Sequence, residues 1–459
     1  MQGSLDYSGS RPATMVKSKQ TRLNVLLIST YEMGRQPFGL ASPAAWLRDG
    51  GHQVTCLDLA VSPFPRAVAA QAEMIAFHLP MHTATRMAIA VLPQIKALNP
   101  NAKLVAYGLY APINKKLLTE SGVHTVLGAE FEADLAALAD GAAPHGGLVK
   151  LNFKIPDRTG LPSLSRYAKL QIDGESRPVG YTEASRGCKH LCRHCPVVPV
   201  YQGQFRVVQS DVVLGDVRQQ VAAGARHITF GDPDFFNGPT HARRIIEQLH
   251  REFPQLTYDV TIKVQHLLQN RELLPVLAAT GCLFVTSAVE SLDDSVLEKL
   301  EKHHTRADFL EVVKLCRSAG LTFVPTFIAF TPWTTLTSYR DLLKTLAEEG
   351  LDASIAPVQL ALRLLIPEGS RMLELSEVLD TVDHFDSQAL VYRWRHRDPE
   401  VDALSSRLLK LVDKLQKGNA TRQEIFAAVW QEASGAAPPE VYSLMPRATV
   451  PYLDEPWYC

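Results

Sequence analysis

Short apolar runs alternate with amphipathic stretches along most of the chain. RLNVLLIST (22–30) is a run of apolar residues with a polar exit, the pattern of a buried parallel strand. HQVTCLDL (52–59), EMIAFHL (73–79), KLVAYGLY (103–110) and HTVLGA (124–129) repeat it. Helical stretches fit between most of them, at 41–49, 83–98, 113–121 and 130–139. Five short strands joined by helices predict a flavodoxin-like doubly wound α/β sheet over residues 22–140. Ligands on such sheets bind at the carboxyl ends of the strands.

Residues 141–175 are rich in Pro and Gly and read as a connector. The alternation then resumes over 176–370. VGYTEAS, ARHITFGD, TYDVTI, LFVTSAVE, LTFVPTFIAF and ASIAPVQLALRLL are the strand candidates, with helices between them. Six βα units predict a partial (βα)6 barrel, since a full eight-unit barrel needs about 250 residues. Chemistry on such a barrel sits at the C-terminal ends of its strands. Residues 371–435 read as mostly helical. Residues 436–459 are proline-rich and without a helical period, so an extended tail lying across another surface is expected.

Lys plus Arg (47) nearly balances Asp plus Glu (48) over 459 residues. A net charge of -1 supplies no bulk field for nucleic acid or anionic lipid. No apolar run approaches the ~20 residues that span a bilayer. The N-terminal stretch lacks the apolar core of a secretory signal. Residues 1–21 read as a disordered arm, with Met15 an alternative start, and a cytoplasmic location is expected.

Seven cysteines are too few and too scattered for a disulfide framework. Three of them, Cys188, Cys192 and Cys195, fall on one short loop in SRGCKHLCRHCPVVPVYQGQFR, after the first barrel strand. Three thiolates spaced C-x3-C-x2-C suit three corners of an iron–sulfur cube, because thiolates are soft ligands. The fourth iron has no local cysteine and stays open, as a catalytic site requires. Arg186, Lys189, His190, Arg193 and His194 surround the thiolates and favour their deprotonation. The alternative is a structural zinc site of the Cys3His type, with His190 or His194 as fourth ligand, in a binding protein without catalysis. Cys282 and Cys316 read as small core residues.

C-x3-C-x2-C just after a strand, followed by a barrel pattern, resembles the radical S-adenosylmethionine (SAM) superfamily. The resemblance implies that Cys188, Cys192 and Cys195 ligate a [4Fe-4S] cluster whose fourth iron binds SAM. It implies reductive cleavage of SAM to a 5′-deoxyadenosyl radical that abstracts a substrate hydrogen. It places Asp232 and Asp234, in GDPDFFNG, near SAM's amino group, Glu290 near its ribose and Arg306 near its carboxylate. The other reading of these residues is structural: a helix cap or turn for the two aspartates, a helix-start acid for Glu290 and a solvated arginine for Arg306. Arg363 is a further candidate for the barrel mouth. A small-molecule substrate and an electron donor such as flavodoxin or ferredoxin are the implied partners. Hydrogen abstraction with rearrangement, methylation, methylthiolation and 3-amino-3-carboxypropyl transfer are the open reaction types.

A flavodoxin-like domain ahead of such a barrel resembles the cobalamin-binding class, whose fingerprint is D-x-H-x-x-G after the first strand. Here STYEMGRQPFG (29–39) has neither the Asp nor the His, and His78 and His82 are the replacement candidates. The other reading is a domain that cups the barrel mouth and shapes the substrate pocket. The tail, PYLDEPWYC, resembles the CUAEP/CCAEP-tail radical SAM proteins. That resemblance implies a UGA codon read as selenocysteine after Cys459, making Cys459 half of a redox or soft-atom-binding pair. The alternative is a natural terminus with an ordinary exposed thiol.

Overall fold

A computed structural model of the chain describes residues 22–128, 130–436 and 450–454. The predicted arm at 1–21 and Cys459 lie outside the described residues. The N-terminal sheet contains β1 (Asn24–Ser29), β2 (Gln53–Asp58), β3 (Met74–His78), β4 (Lys103–Tyr107) and β5 (Thr125–Val126). All pair in parallel, in the order β2-β1-β3-β4-β5, the flavodoxin-like order. β1 and β3 are almost wholly apolar because helices cover both faces of the sheet. Leu26, Ile28, Ile75 and Phe77 pack on one face, and Val25, Leu27, Met74 and Ala76 on the other.

The second sheet contains β6 (Lys169–Ile172), β7 (Glu175–Thr182), β10 (His227–Phe230), β11 (Thr257–Thr261), β12 (Cys282–Glu290), β13 (Thr322–Phe327) and β16 (Tyr452–Leu453). Between β7 and β10 lie β8 (Ser185–Gly187) and β9 (Phe205–Val207), which pair only with each other. Five parallel strands, in the order β13-β12-β11-β10-β7, form a curled half-barrel that antiparallel β6 and β16 extend at one edge.

Two sequence expectations change. The connector does not run to residue 175, because its last residues form β6 and make a hairpin with β7. The sixth barrel strand shrinks to a single bridge, Phe330 to Arg363. Its Pro357 starts a 3-10 turn, and the Gln359 side chain, in place of a neighbouring backbone, accepts the Phe327 N–H at 3.0 Å. Residues 371–435 are mostly helical, as expected, with one hairpin among the helices. β14 (Val382–Asp386) and β15 (Val391–Trp394) form a hairpin before the helices Pro399–Lys417 and Arg422–Ser434. The Asp386 carboxylate accepts the Gln388 and Ala389 N–H groups at 2.9 Å, fixing the turn that breaks helical continuation.

That hairpin reaches the N-terminal domain. Arg86 donates to the Gln388 carbonyl at 3.1 Å and His82 bonds the Ala389 carbonyl. Helix residues Val401, Leu404, Leu408, Ile425 and Phe426 join the barrel core. Among the described residues no helix is long and apolar enough to cross a membrane.

Arg158 ties a loop of the N-terminal domain to the barrel. Its guanidinium holds both Asp216 oxygens at 2.7 and 2.8 Å, the Gln36 side chain at 2.7 Å and the Tyr181 carbonyl at 2.7 Å. Connector, N-terminal loop, β7 and the helix Ser210–Ala222 therefore meet at one largely enclosed cation. Removing one partner of such a pair strands the other charge, at a cost of about 3–5 kcal/mol. Exposed Arg218–Glu252, at a similar 2.7 Å, is worth under ~1 kcal/mol. Urea unfolding is expected to show the large loss for Arg158→Ala and little change for Arg218→Ala; equal midpoints would contradict this reading.

Candidate active site

The cysteine loop leaves the barrel at the end of β7 and is pinched at its base. Antiparallel β8 and β9 pair Gly187 with Phe205 and Ser185 with Val207. Gly187 has φ 73°, and a Cβ there would lie 2.3 Å from the Tyr201 ring and 2.5 Å from the Gln204 carbonyl oxygen. Only glycine satisfies both demands. The loop is also tied to the residues after β10. Asn237 donates to the Gly187 carbonyl at 3.2 Å and accepts the Lys189 N–H at 3.3 Å. Arg193 N–H bonds the Leu300 carbonyl at 2.9 Å.

All three thiols sit in protected surroundings. Cys192 is buried and Cys188 and Cys195 are partly so. Burial pushes the Cys188 thiol up to about 11 and the Cys195 thiol up to about 12. Metal loading must therefore displace protons. Lys263 Nζ donates to Cys192 Sγ at 3.3 Å. His304 is buried with neither ring nitrogen partnered, and burial, followed by Lys302 and Lys263, holds it down at about 4. Lys302 has Glu290 at 3.6 Å, whereas Lys263 has the Cys192 sulfur as its partner.

This surround fits an anionic metal cluster. Among the described residues one set of three His, Cys, Asp or Glu brings its donor atoms within 4.8 Å of one another, and it is His190, Asp234 and His266, not the cysteines. A tetrahedral zinc with 2.3 Å bonds would hold its sulfurs about 3.8 Å apart. The three cysteine sulfurs do not stand in that arrangement with His190 or His194.

The other sequence candidates divide. Asp232 accepts the Ala184 N–H at 2.9 Å and the Ser185 hydroxyl at 2.5 Å, so both oxygens brace the loop base. Burial raises its carboxyl to about 7. Asp234 caps the turn at Phe235–Asn237 through the Phe236 N–H, and its other oxygen lies 2.6 Å from His266 Nδ1. His266 Nε2 is 3.1 Å from His190 Nε2, which joins this chain to the cysteine loop.

Glu290 ends β12 with φ 72°, a strained conformation for a side chain of its size. Burial alone would raise its carboxyl, but Lys302 at 3.6 Å and His194 at 3.2 Å hold it down at about 2. His194, the residue before the third cysteine, thereby links the loop to the end of β12. Arg306 is held by Asp341 and Thr345, in a cleft that Glu290 also lines. Arg363 likewise leaves the barrel mouth, pairing with Asp402 and stacking 3.9 Å from the Trp394 ring centre. Cys282 and Cys316 are core residues.

Lys263, Asn237 and Asp259 were not singled out by motif. Asp259 lines a cavity of about 310 Å³ inside the half-barrel, with Thr229, Thr261, Thr286 and Tyr452. Its carboxylate takes His227 at 3.0 Å and the Thr229 hydroxyl at 2.6 Å. The available signal was the recurrence of Thr and Asp at alternate positions of otherwise apolar strands.

Residues 182–352 match the family described as the Radical SAM superfamily. The chain carries a radical SAM domain. Over 320 residues it is 25% identical to hopanoid C-3 methylase of Methylococcus capsulatus, covering 65% of this chain and 62% of that protein. Over 281 residues it is 21% identical to threonylcarbamoyladenosine tRNA methylthiotransferase MtaB of Rickettsia prowazekii, covering 59% and 64%. The chain thus spans less than two thirds of either relative. A solved structure of the cobalamin-dependent SAM radical enzyme OxsB, with aqua-cobalamin and SAM bound, aligns with TM-score 0.68 at 14% identity, covering 86% of this chain and 67% of that one. That likeness shows a shared fold. A radical SAM domain implies a [4Fe-4S] cluster and SAM, and the three cysteines fit the cluster.

The N-terminal crevice, as it stands, is smaller than a corrin. Between the β-strand ends and the barrel lies a cavity of about 220 Å³ lined by Glu32, Arg35, His78, Glu183 and Arg186. Drug-sized ligands already need about 300–1,000 Å³, and a corrin with its nucleotide tail is larger. The His78 ring lies so close to Gly39 that a Cβ there would be 2.0 Å from it, and it packs on Tyr107 and Phe131. His82 is engaged by the Ala389 carbonyl. Titration of the reconstituted chain with hydroxocobalamin, followed by gel filtration, is expected to leave no visible corrin absorbance with the protein. Stoichiometric retention would show that the crevice opens.

Proposed function

We propose that this chain is a radical SAM enzyme that modifies a small polar molecule. The observation that carries the reading is the braced three-thiol loop, with Lys263 on one of its sulfurs and Lys302 and imidazoles buried nearby. When bound, a [4Fe-4S] cluster of this class supplies one electron to SAM, yielding methionine and a 5′-deoxyadenosyl radical that takes a substrate hydrogen. Cys188, Cys192 and Cys195 would hold that cluster, and the open iron would take SAM. Asp232 and Asn237 keep the loop in place. Glu290, ionised through neutral pH and held by Lys302, is an acceptor suited to ribose hydroxyls. Asp234 is the remaining candidate for SAM's amino group. Hydroxyl-lined β10–β13 and Asp259 offer polar contacts to a substrate, and β16 closes the cavity at its edge. A one-electron donor of the flavodoxin or ferredoxin kind would supply the reductant.

The likeness to a methylase and a methylthiotransferase favours a second reading, transfer of a methyl or methylthio group. Finer placement among the CUAEP/CCAEP-tail proteins is carried by PYLDEPWYC alone, and with it a 3-amino-3-carboxypropyl transfer to a soft atom.

Anaerobic reconstitution with iron and sulfide, then dithionite and SAM, tests the reading. We expect 5′-deoxyadenosine from the wild type and none from Cys188→Ala, Cys192→Ala or Cys195→Ala. Release of S-adenosylhomocysteine would favour the methyl-transfer reading. A fully loaded chain that leaves SAM intact would contradict both.

A further inference from the structure

Lys263 is buried, with 6% of its surface exposed. Lysine is rarely buried to that extent without a partner. Among the described residues no carboxylate lies within ion-pair distance of its Nζ, whereas neighbouring Lys302 has Glu290 at 3.6 Å. The partner of Lys263 is sulfur: Nζ donates to Cys192 Sγ at 3.3 Å, and Cys192 is itself 6% exposed.

The backbone explains how the ammonium arrives there. Side chains along a strand alternate between faces, so residues 259, 261 and 263 point the same way. Asp259 and Thr261 line the cavity inside the half-barrel. β11 ends at Thr261, yet Ile262 N–H still bonds the Thr286 carbonyl at 2.9 Å, and Lys263 keeps an extended conformation (φ -65°, ψ 145°) before the helix Val264–Gln269. Lys263 is therefore the next inward residue beyond the strand end, at the level of the cysteine loop. Val260 and Ile262, of opposite parity, are buried in the apolar core.

We propose that Lys263 sets the reduction potential of the cluster held by Cys188, Cys192 and Cys195, by donating a hydrogen bond to the Cys192 thiolate. This rests on the cluster reading above. Reduction adds one electron from an external one-electron donor and makes the cluster more negative. A buried ammonium on a ligand sulfur stabilises that added charge more than it stabilises the oxidised form. Hydrogen bonds to sulfur, net charge and solvent exposure are the recognised controls of iron–sulfur potentials. No proton leaves the lysine and no bond to sulfur breaks. Lys263 acts through Cys192 and is a positioning residue, not one that touches the reacting atoms of the substrate.

The test is a redox titration of the full, anaerobically reconstituted chain, followed by electron paramagnetic resonance, with iron and sulfide measured for every sample. The variants are Lys263→Gln, Lys263→Met and Lys263→Arg, with exposed Lys344→Gln as a control for loss of one positive charge. Lys263→Gln and Lys263→Met are expected to shift the midpoint to more negative potential at wild-type iron content. Lys263→Arg is expected to stay closer to wild type, and Lys344→Gln to match it. Unshifted midpoints in loaded Lys263→Gln and Lys263→Met would overturn the proposal, as would an equal shift in Lys344→Gln. Should Lys263→Met fail to fold, Lys263→Gln keeps a polar side chain of similar reach and carries the comparison. A wild-type chain that takes up neither iron nor sulfide marks failure of the cluster reading itself, which separates that outcome from these.

Discussion

Holding three thiolates together in a buried place is the constraint from which the rest of the molecule follows. Bringing negative sulfur close to negative sulfur away from water is costly unless positive groups and a fixed frame offset it. The chain supplies both from distant segments. Asp232 and Asn237, after β10, brace the base of the cysteine loop. Lys263, after β11, reaches Cys192, and Glu290, the last residue of β12, engages His194 within the loop and Lys302 beside it. Each partner lies at the carboxyl end of a neighbouring parallel strand. Only a sheet with all those ends on one side can bring them to a single loop, so the half-barrel order is a requirement of the site as much as a container for it.

The N-terminal domain and the C-terminal segments close that mouth from outside. Arg158 bonds the connector to the N-terminal loop and to β7, and the β14–β15 hairpin touches the helix His82–Leu98. Strand β16 adds to β6 and places Pro451–Leu453 against the barrel cavity, where the Arg422 guanidinium lies 4.6 Å from the Tyr452 ring centre. The crevice of the doubly wound sheet is largely filled by His78 and its aromatic neighbours, which leaves a small charged chamber beside the cysteine loop. Enclosure of this kind excludes water from reactive intermediates.

Much of the architecture was legible from patterning. Parallel strands buried on both faces read as apolar runs, and the βα alternation located all five strands of the first sheet and five of the barrel. The failures have local causes. The Pro357 turn and the Gln359 side chain replace the sixth strand, and the connector's last residues pair as β6 with β7. Among site residues, the cysteines announce themselves because three soft ligands at that spacing have few other uses. Asp232, Arg306 and Arg363 show the reverse case, since a charged residue near a strand end is equally suited to bracing a loop or pairing on the surface. Lys263 carried no motif. Its role depends on the parity of an extended segment and on a contact with Cys192, 71 residues away in sequence, which no local spacing encodes.

The central claim is a cube on three cysteines with one iron left open to SAM. Electron paramagnetic resonance of the reduced, reconstituted chain, recorded before and after SAM is added, addresses it most directly. The account predicts a [4Fe-4S] signal whose g values change when SAM binds. A signal indifferent to SAM, or a reduced sample with no iron–sulfur signal, would contradict it.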